Sequence, residues 1–203
     1  MQIVPYPFPE EGKEVIKKSL IRQQGNVIFP TETFYAVGCL ANTSTAVKHV
    51  YRLKKRAKDQ PLLVLVDSWE MFETYAGEIT PSQRTLLEKY WPGALTAIIP
   101  SRGKLAKELN YTGESLAFRM TSSPIARDLI RLVGVPIVGT SANCSGEKEI
   151  NDFSVAYKKF GDHVELYIDG GKTPGGLPST IISMVDTDHY TLLRQGVVTL
   201  DDK

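Results

Sequence analysis

Three short segments, far apart along the chain, carry side chains that together suit a small polar molecule beside a phosphate. Pro30-Thr31-Glu32-Thr33 offers two hydroxyls directly after the apolar run Val27-Ile28-Phe29. Lys54-Lys55-Arg56-Ala57-Lys58 is a dense block of cations, and Ser141-Ala142-Asn143-Cys144-Ser145-Gly146 is a small polar turn after a second apolar run. Arginine binds phosphate bidentately and lysine supplies a compact charge, so Lys54, Arg56 and Lys58, at alternating positions, read as a phosphate site. The competing reading is a solvated helix end whose cations complement the dipole. Thr31 and Thr33 contact a ligand or cap a local turn; either role suits threonine. Small residues around Ser141 and Asn143 let a ligand approach, and their polar groups suit phosphate or ribose oxygens.

One further cation stands out. Arg119 lies in Ser115-Leu116-Ala117-Phe118-Arg119-Met120, which otherwise reads as a buried strand. A buried arginine needs an anion. That anion is a substrate carboxylate or a structural Asp or Glu, and the substrate is the reading carried forward because strand ends often build pockets. Ser179-Thr180 opens another strand after the Gly/Pro-rich stretch 170–178, and Arg194 closes the last one.

These residues need a scaffold of alternating elements. Apolar spacing gives helices over 12–24, 45–54 and 152–160, with cations on the outer face of the second. Thr80-Pro81-Ser82-Gln83 and Ser123-Pro124 read as cap-then-proline helix starts, the first with a capping box. Gly25 reads as the stop of the first helix. Strands are expected at 27–29, 62–66, 95–99, 116–120, 135–138, 164–168, 180–184 and 191–193. Some strands follow one another without a helix between them. The expected class is therefore α/β, a twisted mixed sheet with helices packed on it.

At 203 residues the chain reads as one domain, 1–203, with ordinary composition and a net charge of +1. Bulk charge names no partner, but 48–58 holds six Lys/Arg and no acid. Two cysteines make neither a disulfide framework nor a metal motif, and the three histidines are isolated. No phosphate loop, dinucleotide fingerprint or nucleophile elbow occurs. The N-terminus has no signal-peptide pattern and no run reaches membrane-span length, so a cytoplasmic protein is expected. The tail Asp201-Asp202-Lys203 is expected to fray.

Taken together, Pro30–Thr33, Lys54-Lys55-Arg56, Trp91–Thr96, Ala117-Phe118-Arg119, Ser141–Gly146, Asp169-Gly170-Gly171, Pro178-Ser179-Thr180 and Arg194-Gln195-Gly196 resemble the YrdC/Sua5 family of threonylcarbamoyl-AMP synthases. The resemblance runs from about Gln23 to Val197 and is to the short, single-domain form. It implies a YrdC-like (DHBP synthase-like) α/β fold with a largely parallel twisted sheet around a concave positive cavity. It implies conversion of L-threonine, bicarbonate and ATP to L-threonylcarbamoyladenylate and pyrophosphate, with Mg²⁺ at the phosphates. The product would feed N6-threonylcarbamoyl modification of tRNA adenosine 37 through partner proteins. By the same resemblance Thr31, Thr33, Arg119 and Ser179 would hold threonine, with Arg119 on its carboxylate. Lys54, Arg56, Lys58, Ser141, Asn143 and Arg194 would hold ATP, and catalysis would be positioning and charge neutralisation, with no covalent nucleophile.

The chain departs from the family's usual pattern at four places. Ala36 and Val37 stand where Gly and Leu are usual. Lys55 and Ala57 replace Gly and Pro, Leu65 lies where a histidine is common, and 149–152 replaces a Ser-Pro-Thr. The alternative reading is a paralogue that binds double-stranded RNA or tRNA without synthase activity, its surface formed by 48–58 with Lys104, Lys107 and Arg127.

Overall fold

The computed structural model describes residues 1–111, 113–144 and 146–201. Ser145 of the third motif, and the Asp202-Lys203 tail, lie outside the described residues. In chain order the elements are β1 (Gln2–Pro5), α1 (Glu10–Lys17), β2 (Val27–Pro30), β3 (Tyr35–Gly38), α2 (Ser44–Lys54), β4 (Leu63–Val66), α3 (Trp69–Tyr75), α4 (Pro81–Tyr90), β5 (Leu95–Pro100), β6 (Ser115–Met120), α5 (Pro124–Val133), β7 (Ile137–Val138), β8 (Thr140–Ser141), α6 (Phe153–Phe160), β9 (Leu166–Asp169), β10 (Thr180–Ser183) and β11 (Thr191–Arg194).

The mixed α/β class stands, with its strands divided between two sheets. One has the order β1-β9-β2-β3-β8, the other β11-β10-β5-β6-β4-β7. Parallel pairings β1–β9, β2–β9, β5–β10 and β4–β6 are matched by antiparallel β2–β3, β3–β8, β4–β7, β5–β6 and β10–β11. The largely parallel sheet implied by the resemblance is thus an even mixture. Antiparallel neighbours arise because several connections, such as 31–34 between β2 and β3, are too short for a helical crossover.

Side chains alternate across each strand, and the two cores follow that period. Ile28, Val37, Val64, Val66 and Ala97 face a larger core closed by α2, α3, α4 and α6. Val27, Phe29, Ala36 and Leu65 face the other way, under α1 and α5. In the larger core Trp69, Phe72 and Trp91 form one cluster, with the Trp69 and Trp91 rings 5.5 Å apart. The Arg84 guanidinium lies 3.6 Å from the Trp69 ring centre.

The two proline-led helix starts form as expected. Thr80 and Gln83 exchange both bonds of a capping box, and Ser123 accepts from the Ala126 amide. The first helix differs from expectation. It begins at Glu10, ends in a wide turn over 18–22, and reverses at Gln24 (φ 54°) instead of Gly25. The short α3 was not expected; Ser68 caps it by accepting from the Met71 amide.

The sheets meet where β3 passes β7, with the Val138 amide donating to the Cys39 carbonyl at 2.8 Å. A Cβ on Gly38 would stand 1.9 Å from the Val138 carbonyl oxygen, so only glycine allows this approach. Gly38→Ala is expected to destabilise the protein by about 1–3 kcal/mol, the range for overpacking a tight contact. Urea denaturation measures this; an unchanged midpoint would contradict the seam. No helix among the described residues is long and apolar enough to cross a membrane.

Candidate active site

Seven of the ten residues singled out from the sequence line one cleft. Thr31 and Thr33 come from the β2–β3 turn, Arg119 from β6 and Ser141 from β8. Arg56 follows α2, Ser179 precedes β10 and Arg194 ends β11. Both sheets contribute, so the site exists only where the two sheets are correctly joined. The structure does not bring Lys54, Asn143 and Lys58 to the cleft lining.

The cation block therefore does not converge on one face. Lys54, expected outward, is 1% exposed. Its ammonium donates to the Ser141 carbonyl, to the Asn143 carbonyl at 2.8 Å and to Asn143 Oδ1 at 3.2 Å. Asn143 is equally committed: its Oδ1 also accepts from the Ser141 hydroxyl at 2.7 Å, and its amide donates to the Glu147 carbonyl at 2.6 Å. Lys54 and Asn143 thus shape the turn that presents Ser141. Lys58 lies 5.4 Å from the Tyr111 ring centre. The alternation fails because α2 ends at Lys54 in a left-handed residue, Lys55 (φ 49°), and no strand follows before Leu63. Left-handed geometry costs a side-chain residue about 1–2 kcal/mol, and glycine escapes it. Lys55→Gly is expected to raise stability by about 1 kcal/mol, seen as a higher urea midpoint; a lower one would contradict this.

Arg56 does reach the cleft, where its Nε and Nη2 donate to the carbonyls of Gln60 (3.0 Å) and Pro61 (2.9 Å). Arg194 is oriented the same way, with Nε and Nη2 on the Ser179 carbonyl at 3.1 and 2.8 Å. Ser179 Oγ accepts from Thr96 at 3.0 Å and from Arg194 Nη2 at 3.2 Å. Gly196 makes this possible, since a Cβ there would sit 2.2 Å from the Pro178 carbonyl oxygen. Burial lowers the pKa of Arg56; Tyr51 opposes this, and the Arg194 charge adds to it. Arg194 is lowered first by burial and then by Arg119, with Glu149 opposing. The Arg194 charge thus acts on Arg56 and the Arg119 charge on Arg194, and all three side chains line one cleft, an arrangement that favours an anion there.

Arg119 has a protein partner. Its Nε donates to Glu32 Oε1 at 2.9 Å, and Nη2 lies 2.8 Å from the same oxygen. Thr121 donates to Glu32 Oε2 at 2.6 Å. The structural pairing considered for Arg119 is thus present, while its guanidinium still lines the cleft. Burial acts to raise the Glu32 pKa, but the Arg119 charge and the bonds from Arg119 and Thr121 hold it below the usual range. Glu32 was visible in the sequence between the two threonines and was not singled out; the unpaired arginine across the fold was its signal.

The threonines show both readings at once. The two hydroxyls are 3.1 Å apart and Thr31 donates to the Phe34 carbonyl at 2.7 Å, a local turn that nonetheless faces the cleft. The Gly-rich loop braces it: the Gly175 amide donates to the Thr33 carbonyl at 2.8 Å, and the Tyr35 hydroxyl donates to the Gly171 carbonyl at 2.8 Å. Among the described residues no group of three or more His, Cys, Asp or Glu side chains gathers as a metal site.

The chain that carries this cleft matches a known family in sequence and in fold. A family model described as telomere recombination, covering Sua5, YciO and YrdC, matches residues 19–196. The chain belongs to the Sua5/YciO/YrdC family. The threonylcarbamoyl-AMP synthase of Bacillus subtilis is 36% identical over 182 residues, which is 89% of this chain and 52% of that one. The protein of the same name from Thiobacillus denitrificans is 29% identical over 174 residues, 86% of this chain and 92% of that one. The crystal structure of Pyrococcus abyssi Sua5 complexed with L-threonine superposes with a TM-score of 0.87 at 34% identity, covering 96% of this chain and 56% of that one. The chain thus spans about half the length of the Bacillus and Pyrococcus proteins, and nearly all of the Thiobacillus relative.

Proposed function

We propose that this protein is an L-threonylcarbamoyladenylate synthase acting in the cytoplasm, as a single domain, in tRNA modification. The observation that carries the reading is the cleft itself: Arg119 with Thr31 and Thr33 on one side, Arg56, Ser141, Ser179 and Arg194 around the rest. The Thiobacillus relative of nearly equal extent bears that activity in its name, and the Pyrococcus protein was crystallised with L-threonine.

In this reading the threonine carboxylate takes the free edge of Arg119, and the hydroxyls of Thr31, Thr33 and Ser179 orient the rest. The threonine nitrogen adds to the carbon of bicarbonate with loss of water, giving a carbamate. A carbamate oxygen then attacks the α-phosphorus of ATP, the bond to the bridging oxygen breaks, and pyrophosphate leaves. Arg56 and Arg194 neutralise charge on the phosphates, and Ser141, held by Lys54 and Asn143, meets the nucleotide. The protein's contribution is orientation and preset charge. Among the described residues, the one acid in an ion pair with a cleft arginine, Glu32, is committed to Arg119. Mg²⁺ in this reading arrives with the nucleotide, on its phosphates.

The RNA-binding alternative draws on a cationic stripe over 48–58. Lys48 is paired with Glu108 at 3.1 Å, Lys54 is buried, and Arg56 turns into the cleft, so the stripe is not one outward face. Transfer to tRNA is left to partner proteins in the proposal. The test is pyrophosphate release from ATP and bicarbonate, with and without L-threonine, and mass detection of the adenylate. Threonine-dependent release with that product supports the synthase; folded protein with no release overturns it.

A further inference from the structure

Glu149 is the single acidic side chain among the described residues lining the cleft. It makes no hydrogen bond and no ion pair within contact distance among those residues, yet it acts electrostatically on Lys54 and Arg194. A carboxylate left without a partner between cations is poised for an incoming donor. The two anionic parts of the substrates, carboxylate and phosphates, are repelled by Glu149 and drawn to Arg56, Arg119 and Arg194. The donors that remain are the threonine ammonium, the exocyclic amine of a purine and the sugar hydroxyls. An ammonium held by a carboxylate keeps its proton and is a poor nucleophile, which the proposed carbamate step disfavours. Glu149 also sits on the loop that follows Ser141 and Asn143, on the nucleotide side of the cleft. A vicinal diol presents two hydroxyls to the two oxygens of one carboxylate, a match that a single amine does not offer.

We infer that Glu149 receives the ribose hydroxyls of the nucleoside triphosphate and makes the site select ribonucleotides over 2′-deoxyribonucleotides. The inference rests on the nucleotide reading of the cleft and adds a specificity residue at a position where the chain departs from the usual family pattern.

Calorimetric titration of ATP and of 2′-deoxy-ATP into the full chain, its Glu149→Ala variant and its Glu149→Gln variant tests this. The parent should prefer ATP by about tenfold, the scale of one charge-assisted bond. Glu149→Ala should remove two bonds to ATP and one to 2′-deoxy-ATP, weakening ATP by about tenfold more than 2′-deoxy-ATP and so erasing the preference; Glu149→Gln should retain part of it. Equal binding of both nucleotides by the parent overturns the inference, as does a preference that survives in Glu149→Ala. A uniform tightening of both nucleotides in the variants also overturns it, because Glu149 would then act only by repelling phosphate. Weakened L-threonine binding with unchanged sugar preference assigns Glu149 to the amine and overturns it too. Failure of the parent to bind either nucleotide overturns the nucleotide reading itself, a result distinct from the others.

Discussion

Arg119→Ala is expected to cost about 3–5 kcal/mol of stability, the scale for removing one partner of a buried ion pair. The side chains of Arg119 and Glu32 are 5% and 14% exposed, and the variant takes the guanidinium from the Glu32 carboxylate, leaving among the described residues the Thr121 hydroxyl and weaker amide donors such as Ser122. Removing both charges should be much milder, because no orphaned ion remains. Denaturation of Arg119→Ala, Glu32→Ala and the double variant forms a cycle, and additive losses would mean the pair has no coupling. Threonine affinity separates the structural role from the ligand role. The double variant should recover most of the stability and none of the threonine binding; unchanged threonine affinity would sink the carboxylate-clamp assignment. The pair also sets an acid response. Glu32 is held below its ordinary value of 4.5, so its contribution is present above that pH and is lost as pH falls through its folded value. The parent should lose stability in this acid range, and Arg119→Ala should lack that loss.

Lys54→Met is expected to keep the fold and lose the nucleotide. Two terms oppose each other in stability. Leaving the Ser141 and Asn143 acceptors without their donor costs about 1–3 kcal/mol each. Relieving a buried charge returns about 3 kcal/mol, since burial first, and then Arg56, lowers the Lys54 pKa from 10.5 to about 8. The two terms offset in part, leaving a net change between about 1 kcal/mol of stabilisation and about 3 kcal/mol of destabilisation. The turn that presents Ser141, however, loses the three contacts that fix it, and ATP affinity should fall at least about tenfold. Normal ATP titration in this variant would remove the turn from the site. The sign of the pH effect is definite. The cost of the buried charge is fully present below about pH 8 and is relieved as pH rises from there toward 10.5. Parent stability should therefore rise with pH across that window, and Lys54→Met should be flat there.

The legible part of this protein was its punctuation and its motifs. Thr80-Pro81 and Ser123-Pro124 mark helix starts through side-chain chemistry that acts within four residues, so neighbouring sequence suffices to read them. The strands of the six-stranded sheet are apolar runs and were equally plain. What failed depends on distance. Whether Val27–Pro30 pairs with β9 or β4 is set by packing between segments far apart in sequence, so the division into two sheets was not visible. Lys54 read as an outward cation because helical periodicity cannot see the Ser141–Asn143 carbonyls brought against it from 87 and 89 residues away. Arg119 had two open readings for the same reason, and its partner Glu32 is also 87 residues distant. The cleft residues themselves were found because most sit at strand ends next to small or turn-forming residues.

The aromatic cluster of Trp69 and Trp91 decides how this protein is best watched. Both of its indoles are in one packed group, neither borders the cleft, and one is covered by Arg84. Their emission will report loosening of the helical layer over the six-stranded sheet as a single signal. The arrival of a nucleotide or amino acid will leave it nearly unchanged, so ligand titrations call for heat or a labelled substrate, while tryptophan fluorescence serves as the independent record that each variant is folded.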